Sequence, residues 1–175
     1  MLTIDRLDAQ IIGLLSDDAR AGVVELAAQL GVSRNTVQAR RRRLDEAGLL
    51  LGFVPQLDLD AIGVTVQAFA ALALEQGRLD EVVADLSAMP QVLEIHATTG
   101  REDLLVRLAT TNHAELQKLI QRIVGLPGVA HSNTSLALTT PLRMRVRPLL
   151  DHVTQELGWG RSTPLPEDLT RADRV

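Results

Sequence analysis

Residues 31 to 48 read GVSRNTVQARRRRLDEAG, and the way this stretch folds decides the reading of the whole chain. Glycine closes a helix and serine opens one, so Gly31-Val32-Ser33 is a turn between two helices. Upstream, Val23, Leu26, Ala27 and Leu30 recur at helical spacing. Before them Leu7, Ile11, Leu14 and Leu15 mark one face of a first helix. Asp5 and Asp8 stand near its start, where carboxylates suit the positive end of the helix dipole. Downstream, Val37, Leu44 and Ala47 are the expected buried positions of a third helix that stops at Gly48. Two helices joined by a short glycine-containing turn make a helix-turn-helix.

In that motif the second helix lies in the DNA major groove. Turning Val37 and Leu44 inward leaves Arg34, Asn35, Gln38 and Arg42 on the opposite face. Arginine suits guanine edges, and asparagine or glutamine suits adenine. Successive helix positions are rotated by ~100°, so Arg40 to Arg43 cannot form one patch. Arg40, Arg41 and Arg43 fall on the flanks, placed for phosphate contacts or for pairing within the domain. Ser33 and Thr36, in the leading turn, complete the expected DNA-binding set.

The net charge of −4 belongs entirely to residues 51–175; residues 1–50 hold seven basic and seven acidic side chains. The field near the arginine row is therefore positive whatever the total charge, which fits a polyanion partner for that segment alone. Cysteine is absent, which removes disulfides and thiolate chemistry. With only Phe53, Phe69 and Trp159 as aromatics, stacking on single-stranded nucleic acid is disfavoured. No apolar run is long enough to span a bilayer, and the short acidic N-terminus is no signal peptide, so a cytoplasmic protein is expected, nucleoid-associated through the DNA-binding segment. His96, His113, His131 and His152 lack ligand spacing, and no nucleotide-binding or catalytic motif stands out. The expectation is a non-enzyme without metal or cofactor.

Residues 51–63 (LGFVPQLDLDAIG) read as a linker strand or wing, limited by Pro55 to an edge or irregular position. Beyond it the periodicity changes. VTVQAFAALAL (64–74) suits a buried strand, and Leu79, Val82, Val83, Leu86 and Met89 suit a helix. Leu93, Ile95 and Ala97 alternate, as do Leu104, Val106 and Leu108. Leu116, Leu119, Ile120 and Ile123 mark another helix, and 129–138 a last strand. A shift of 37 positions superposes Leu79 on Leu116, Val82-Val83 on Leu119-Ile120, Leu86 on Ile123 and Pro90 on Pro127. Two βαβ halves describe a ferredoxin-like βαββαβ fold over residues 64–142. Its helix-free face is expected to be apolar and to dimerise. Residues 143–175 are expected to form a C-terminal helix, docking on a neighbouring subunit, and a proline-rich tail. Arg143, Arg145 and Arg147 lie on an edge strand or a DNA path.

The segments LDAQIIGLLSDDAR, ELAAQLGVS and TVQARRRRLDEAGLLLGF resemble the N-terminal domain of the Lrp/AsnC (feast/famine) transcriptional regulators. The matching points are Asp8, Arg20, Glu25-Leu26-Ala27, Gly31, Ser33, Arg40, Leu44 and Gly48; Arg41 stands where the family places an aliphatic residue. TTGREDLLVRL, with Gly100 and Asp103 three apart, is similar to the family's C-terminal effector domain. The resemblance implies an α+β chain with a (winged) helix-turn-helix over residues 1–50 and a ferredoxin-like ligand-sensing and oligomerisation domain. It implies a small effector, an amino acid, bound between dimers by Thr98, Thr99, Gly100, Arg101 and Asp103, with Ser132 and Thr134 opposite. The expected partners are double-stranded DNA, the effector and further copies of the chain, with no membrane. Two other functions stay open: a nucleoid-organising protein that wraps DNA, and an amino-acid-sensing regulatory subunit of an enzyme.

Overall fold

The computed structural model describes residues 2–159, which divide into two units: the N-terminal segment up to Pro55 together with the C-terminal segment from Arg143, and Gln56–Leu142. The proline-rich tail expected at the C-terminus lies outside the described residues.

Unit 1 is helical. α1 (Arg6–Asp17) opens on a reciprocal cap: the Asp5 carboxylate accepts from the Asp8 amide at 3.0 Å, and the Asp8 carboxylate from the Asp5 amide at 2.9 Å. α2 (Val23–Leu30) ends at Gly31, whose φ of 65° is left-handed, and the Val32 amide closes the turn on the Ala27 carbonyl. α3 (Arg34–Glu46) starts at Ser33, whose hydroxyl accepts from the Thr36 amide at 3.1 Å. The core holds Leu7, Ile11, Leu15, Leu26, Leu30, Val37 and Trp159. Ala47, expected in that core, is exposed. The helix ends at Glu46 and hands over to a left-handed turn at Gly48, so Ala47 no longer follows the buried face.

Residues 49–58 form no strand, although a wing strand was expected there. Gly52 sits at a φ of 146°, Pro55 offers no amide hydrogen, and no strand among the described residues pairs with this stretch. Leu51 and Val54 are left almost fully exposed.

α6 (Arg147–Thr154) packs against α1 of its own chain, where docking on a neighbour was expected. Arg143 and Arg145 precede it in irregular, exposed backbone and not in an edge strand.

Unit 2 has the expected βαββαβ order: β1 (Val66–Leu74), α4 (Leu79–Ser87), β2 (Val92–Ala97), β3 (Leu104–Thr110), α5 (His113–Val124) and β4 (Val129–Leu136). The antiparallel sheet runs β2-β3-β1-β4. Ala68, Ala70 and Leu72 from β1 and Leu104, Val106 and Leu108 from β3 point to one face. There they pack against Val82 and Leu86 from α4, Met89 just past its end, and Leu116, Leu119 and Ile123 from α5. Three expected core residues lie outside it; one, Ala97, is the last residue of β2 and is exposed. Leu79 is the first residue of its helix and is half exposed. Leu93 is turned outward by a register shift between Val92 and Glu94. The helix-free face is mixed rather than uniformly apolar. Phe69, Ala71, Ala73, Leu105 and Ala109 run along its centre, flanked in register by Glu94, His96, Arg107, His131 and Asn133.

Candidate nucleic-acid interface and effector loop

The orientation of α3 is fixed from two sides. Val37 and Leu44 are fully buried. Next to that seam, two carboxylates of the α1 cap reach two arginines one turn apart on α3. Arg40 donates to Asp5 at 2.5 Å and to Asp8 at 3.1 Å, and Arg43 donates to the other Asp8 oxygen. Asp8 is completely buried, so its charge is tolerable only because two guanidinium groups and an amide surround it. Burial pushes the Asp5 carboxyl up, but its hydrogen bonds to Arg40 and the Asp8 amide outweigh that and hold it below its usual range. Burial likewise pulls Arg40 down, and its bonds to Asp5 and the nearby Asp8 charge more than reverse it. Both partners shift toward their charged forms.

Pinned in this way, α3 turns Arg34, Asn35, Gln38 and Arg42 outward, and all four are exposed. On an ideal helix they share roughly 100° of arc. Arg41, half-buried, lies beside the core seam. Ser33 and Thr36 serve the start of the helix: their hydroxyls lie 2.8 Å apart, and Ser33 also takes the Thr36 amide. Arg40 and Arg43 therefore display the second of the two roles open to them in the sequence, pairing within the domain. Sequence reasoning treated Asp5 and Asp8 only as dipole partners and missed them as anchors. Their spacing was the available signal: two acids three apart in one helix, facing two arginines three apart in another. A cleft of about 690 Å³ lies where Thr3–Asp5, the Arg40 side of α3 and Leu157-Gly158 meet, and its arginines are the two already neutralised.

In unit 2 the β2–β3 hairpin carries the expected effector loop. Thr98 closes it, with its amide donating to the Asp103 carbonyl at 2.9 Å and its hydroxyl to the Glu102 carbonyl at 2.7 Å. Gly100 sits at a φ of 122° that favours glycine. Asp103 ties the hairpin to β1: its amide donates to the Leu72 carbonyl, and its carboxylate accepts from the Leu74 amide, both at 2.7 Å. Thr99, Gly100 and Arg101 remain exposed at the tip. Ser132 and Thr134 stand in register with Leu72 and Ala70, so they share the helix-facing side of the sheet. β1 separates β4 from β3, and two strand spacings amount to about 10 Å. The structure thus places the loop and Ser132 at one end of the sheet without bringing them side by side.

Two family models match the chain. An AsnC-type helix-turn-helix domain covers residues 4–45, and an Lrp/AsnC ligand binding domain covers residues 67–146. The HTH-type transcriptional regulator FL11 of Pyrococcus horikoshii is 31% identical over 137 residues, 78% of this chain and 91% of its own. The regulator AldR of Mycolicibacterium smegmatis is 30% identical over 76% of this chain and 80% of its own. The structure of E. coli AsnC is similar with a TM-score of 0.77 at 27% identity, covering 84% of this chain and 100% of that one. Among the described residues no helix is long and apolar enough to cross a membrane. With a helix-turn-helix unit, a ferredoxin-like unit and these relatives, the chain belongs to the Lrp/AsnC family of transcriptional regulators and is not an enzyme.

Proposed function

We propose that the protein reads a preferred DNA sequence through Arg34, Asn35, Gln38 and Arg42, as a dimer or higher assembly in the cytoplasm whose affinity is set by an amino acid. One observation carries the DNA reading. The four base-matching side chains are exposed together on one arc, while burial and ion pairs hold the rest of α3. Arg41 contacts phosphate in this reading, and Ser33 and Thr36 present the leading turn to the backbone. Arg40 and Arg43 contribute by setting the angle of the helix.

The test uses a duplex enriched from a random library, competed against random DNA. Alanine at Arg34 or Arg42 should narrow the difference between preferred and random duplex, because a bidentate base contact carries about 1–3 kcal/mol of discrimination. If both variants keep the discrimination of the unmodified protein, α3 is not the reading helix. A protein that shows no preference at any salt concentration is instead a DNA-wrapping one. One that binds no duplex at all returns the function to a regulatory subunit.

For the effector, the exposed amides at Thr99, Gly100 and Arg101 and the Arg101 guanidinium suit a carboxylate. The Asp103 oxygen not used by Leu74 suits an ammonium group. The distance from this loop to Ser132 and Thr134 supports a site completed by a second copy, with the Phe69-Ala71-Ala73-Leu105 stripe as a dimer face. A thermal-shift screen of the twenty amino acids tests it: a ligand at a hundred times its Kd adds about 2.7 kcal/mol. No shift with any of the twenty would exclude an amino-acid effector.

A further inference from the structure

The matched ligand-binding domain stops at residue 146, while the described chain continues through α6 to a buried tryptophan. Arg147 pairs with Asp17 at the end of α1 and lies against Gly13, where a Cβ would sit 3.1 Å from its Nε. One turn further, Asp151 accepts from Gln10 Nε2 at 3.1 Å. Past the helix, the Gly158 carbonyl accepts from the Arg6 amide at 3.3 Å. Trp159, only 4% exposed, joins the core cluster that holds Leu7, Ile11 and Leu26. These contacts run antiparallel along the whole of α1, from Asp17 back to Arg6.

We infer that residues 147–159 are a fourth helical element of the DNA-binding unit, which positions α1 and, through the Asp5 and Asp8 carboxylates, the recognition helix. Polar pairs at both ends and an indole in the core fix the register of α6 on α1, and α1 carries the two acids that hold Arg40 and Arg43. The segment also follows β4 through residues 137–146. The ligand-binding domain is thus joined to the helical unit twice along the chain, once before β1 and once after β4. The second connection ends on the helix that orients α3.

Trp159 is the sole tryptophan, so the full-length protein reports its own docking. Its emission should be blue-shifted and resistant to iodide; emission typical of water-exposed indole would overturn the docking. Arg147→Asp sets a carboxylate against Asp17 and should make Trp159 quenchable. At a temperature where circular dichroism shows the helices intact, it should also weaken duplex DNA binding, on the order of 2- to 30-fold. The swap Asp17→Arg/Arg147→Asp should restore both readouts. An Arg147→Asp protein with exposed Trp159 but unchanged DNA affinity refutes the positioning role, and a swap that restores neither readout refutes the assigned pairing. The DNA arm rests on the groove assignment of α3, whereas the fluorescence arm does not, so the two readings fail separately.

Discussion

Replacing Asp8 by asparagine removes one charge and leaves the shape almost unchanged, so it isolates the anchor beneath the recognition helix. The carboxylate is completely buried and accepts from three donors: the Asp5 amide at 2.9 Å, Arg40 at 3.1 Å and Arg43. The asparagine carbonyl can keep at most the Asp5 amide and Arg43, which share one Asp8 oxygen, and its NH2 group then faces Arg40. Charge-assisted hydrogen bonds contribute about 1.5–3 kcal/mol each. Full loss of a buried pair partner costs about 3–5 kcal/mol. Part of that is recovered here, because Arg40 keeps Asp5 and the Arg43 side chain is 42% exposed and can turn to water. The expected loss is therefore about 2–3 kcal/mol for unit 1. In a domain of that size each kcal/mol moves the midpoint by roughly 4–8 °C, so a fall of about 10–20 °C is expected. Trp159 lies in unit 1 and is the only tryptophan, so its fluorescence follows that unit alone during heating or in urea. The shift should persist in high salt, since buried pairs are little screened. An Asp8→Asn midpoint within a degree or two of the unmodified protein would mean that the buried carboxylate does not anchor α3.

Three other perturbations test neighbouring parts. Ser33→Ala removes the hydroxyl that caps α3 and should cost about 1 kcal/mol, read as a lower unit 1 midpoint. Gly100→Ala places a side chain at a φ of 122° and should cost about 1–3 kcal/mol of backbone strain, seen in the urea unfolding of unit 2 by circular dichroism. The Asp5 carboxyl titrates below its ordinary 3.8 in the folded chain, so its contribution is complete above that value and fades as the pH falls through it and below. Unit 1 should lose stability below about pH 4, and Asp5→Asn should flatten that part of the profile.

Where periodicity and capping agreed, the sequence predicted the architecture. Gly31 and Ser33 placed the helix-turn-helix, and the 37-residue repeat placed the four strands and two helices of unit 2. The misses share a physical cause: local pattern does not report on partners distant in sequence. Leu93 keeps strand alternation on paper, but a register shift turns it out. The 51–63 segment is apolar enough for a strand, yet it pairs with no described strand and ends in a single helical turn at Asp60–Ile62. Trp159 belongs to the α1 core through contacts spanning about 150 residues of sequence, which no window could detect. Asp8 and Arg40 are both points of family resemblance, and the sequence offers a separate reason for each, the helix dipole and a phosphate or internal pair; only the fold shows that they are each other's partner.

The arginine row separates two kinds of positive charge that a salt titration can tell apart. Arg40 and Arg43 are neutralised by Asp5 and Asp8, so few counterions should be released through them when DNA binds. Arg41 belongs to no ion pair among the described residues and stands beside the exposed arc. Affinity for duplex DNA falls with salt by a slope of about 0.9 per neutralised phosphate. Arg41→Ala should therefore lower the slope by up to about one and leave the unit 1 midpoint close to that of the unmodified protein. Arg40→Ala should do the reverse. It strips Asp5 of its cation and leaves the buried Asp8 with Arg43 alone, so the midpoint falls while the slope holds for whatever fraction remains folded. An Arg40→Ala protein of normal stability with a reduced slope would show that the internal pairs open on DNA. The carboxylates would then be competitors of the phosphates for the same two guanidinium groups, and not their anchors.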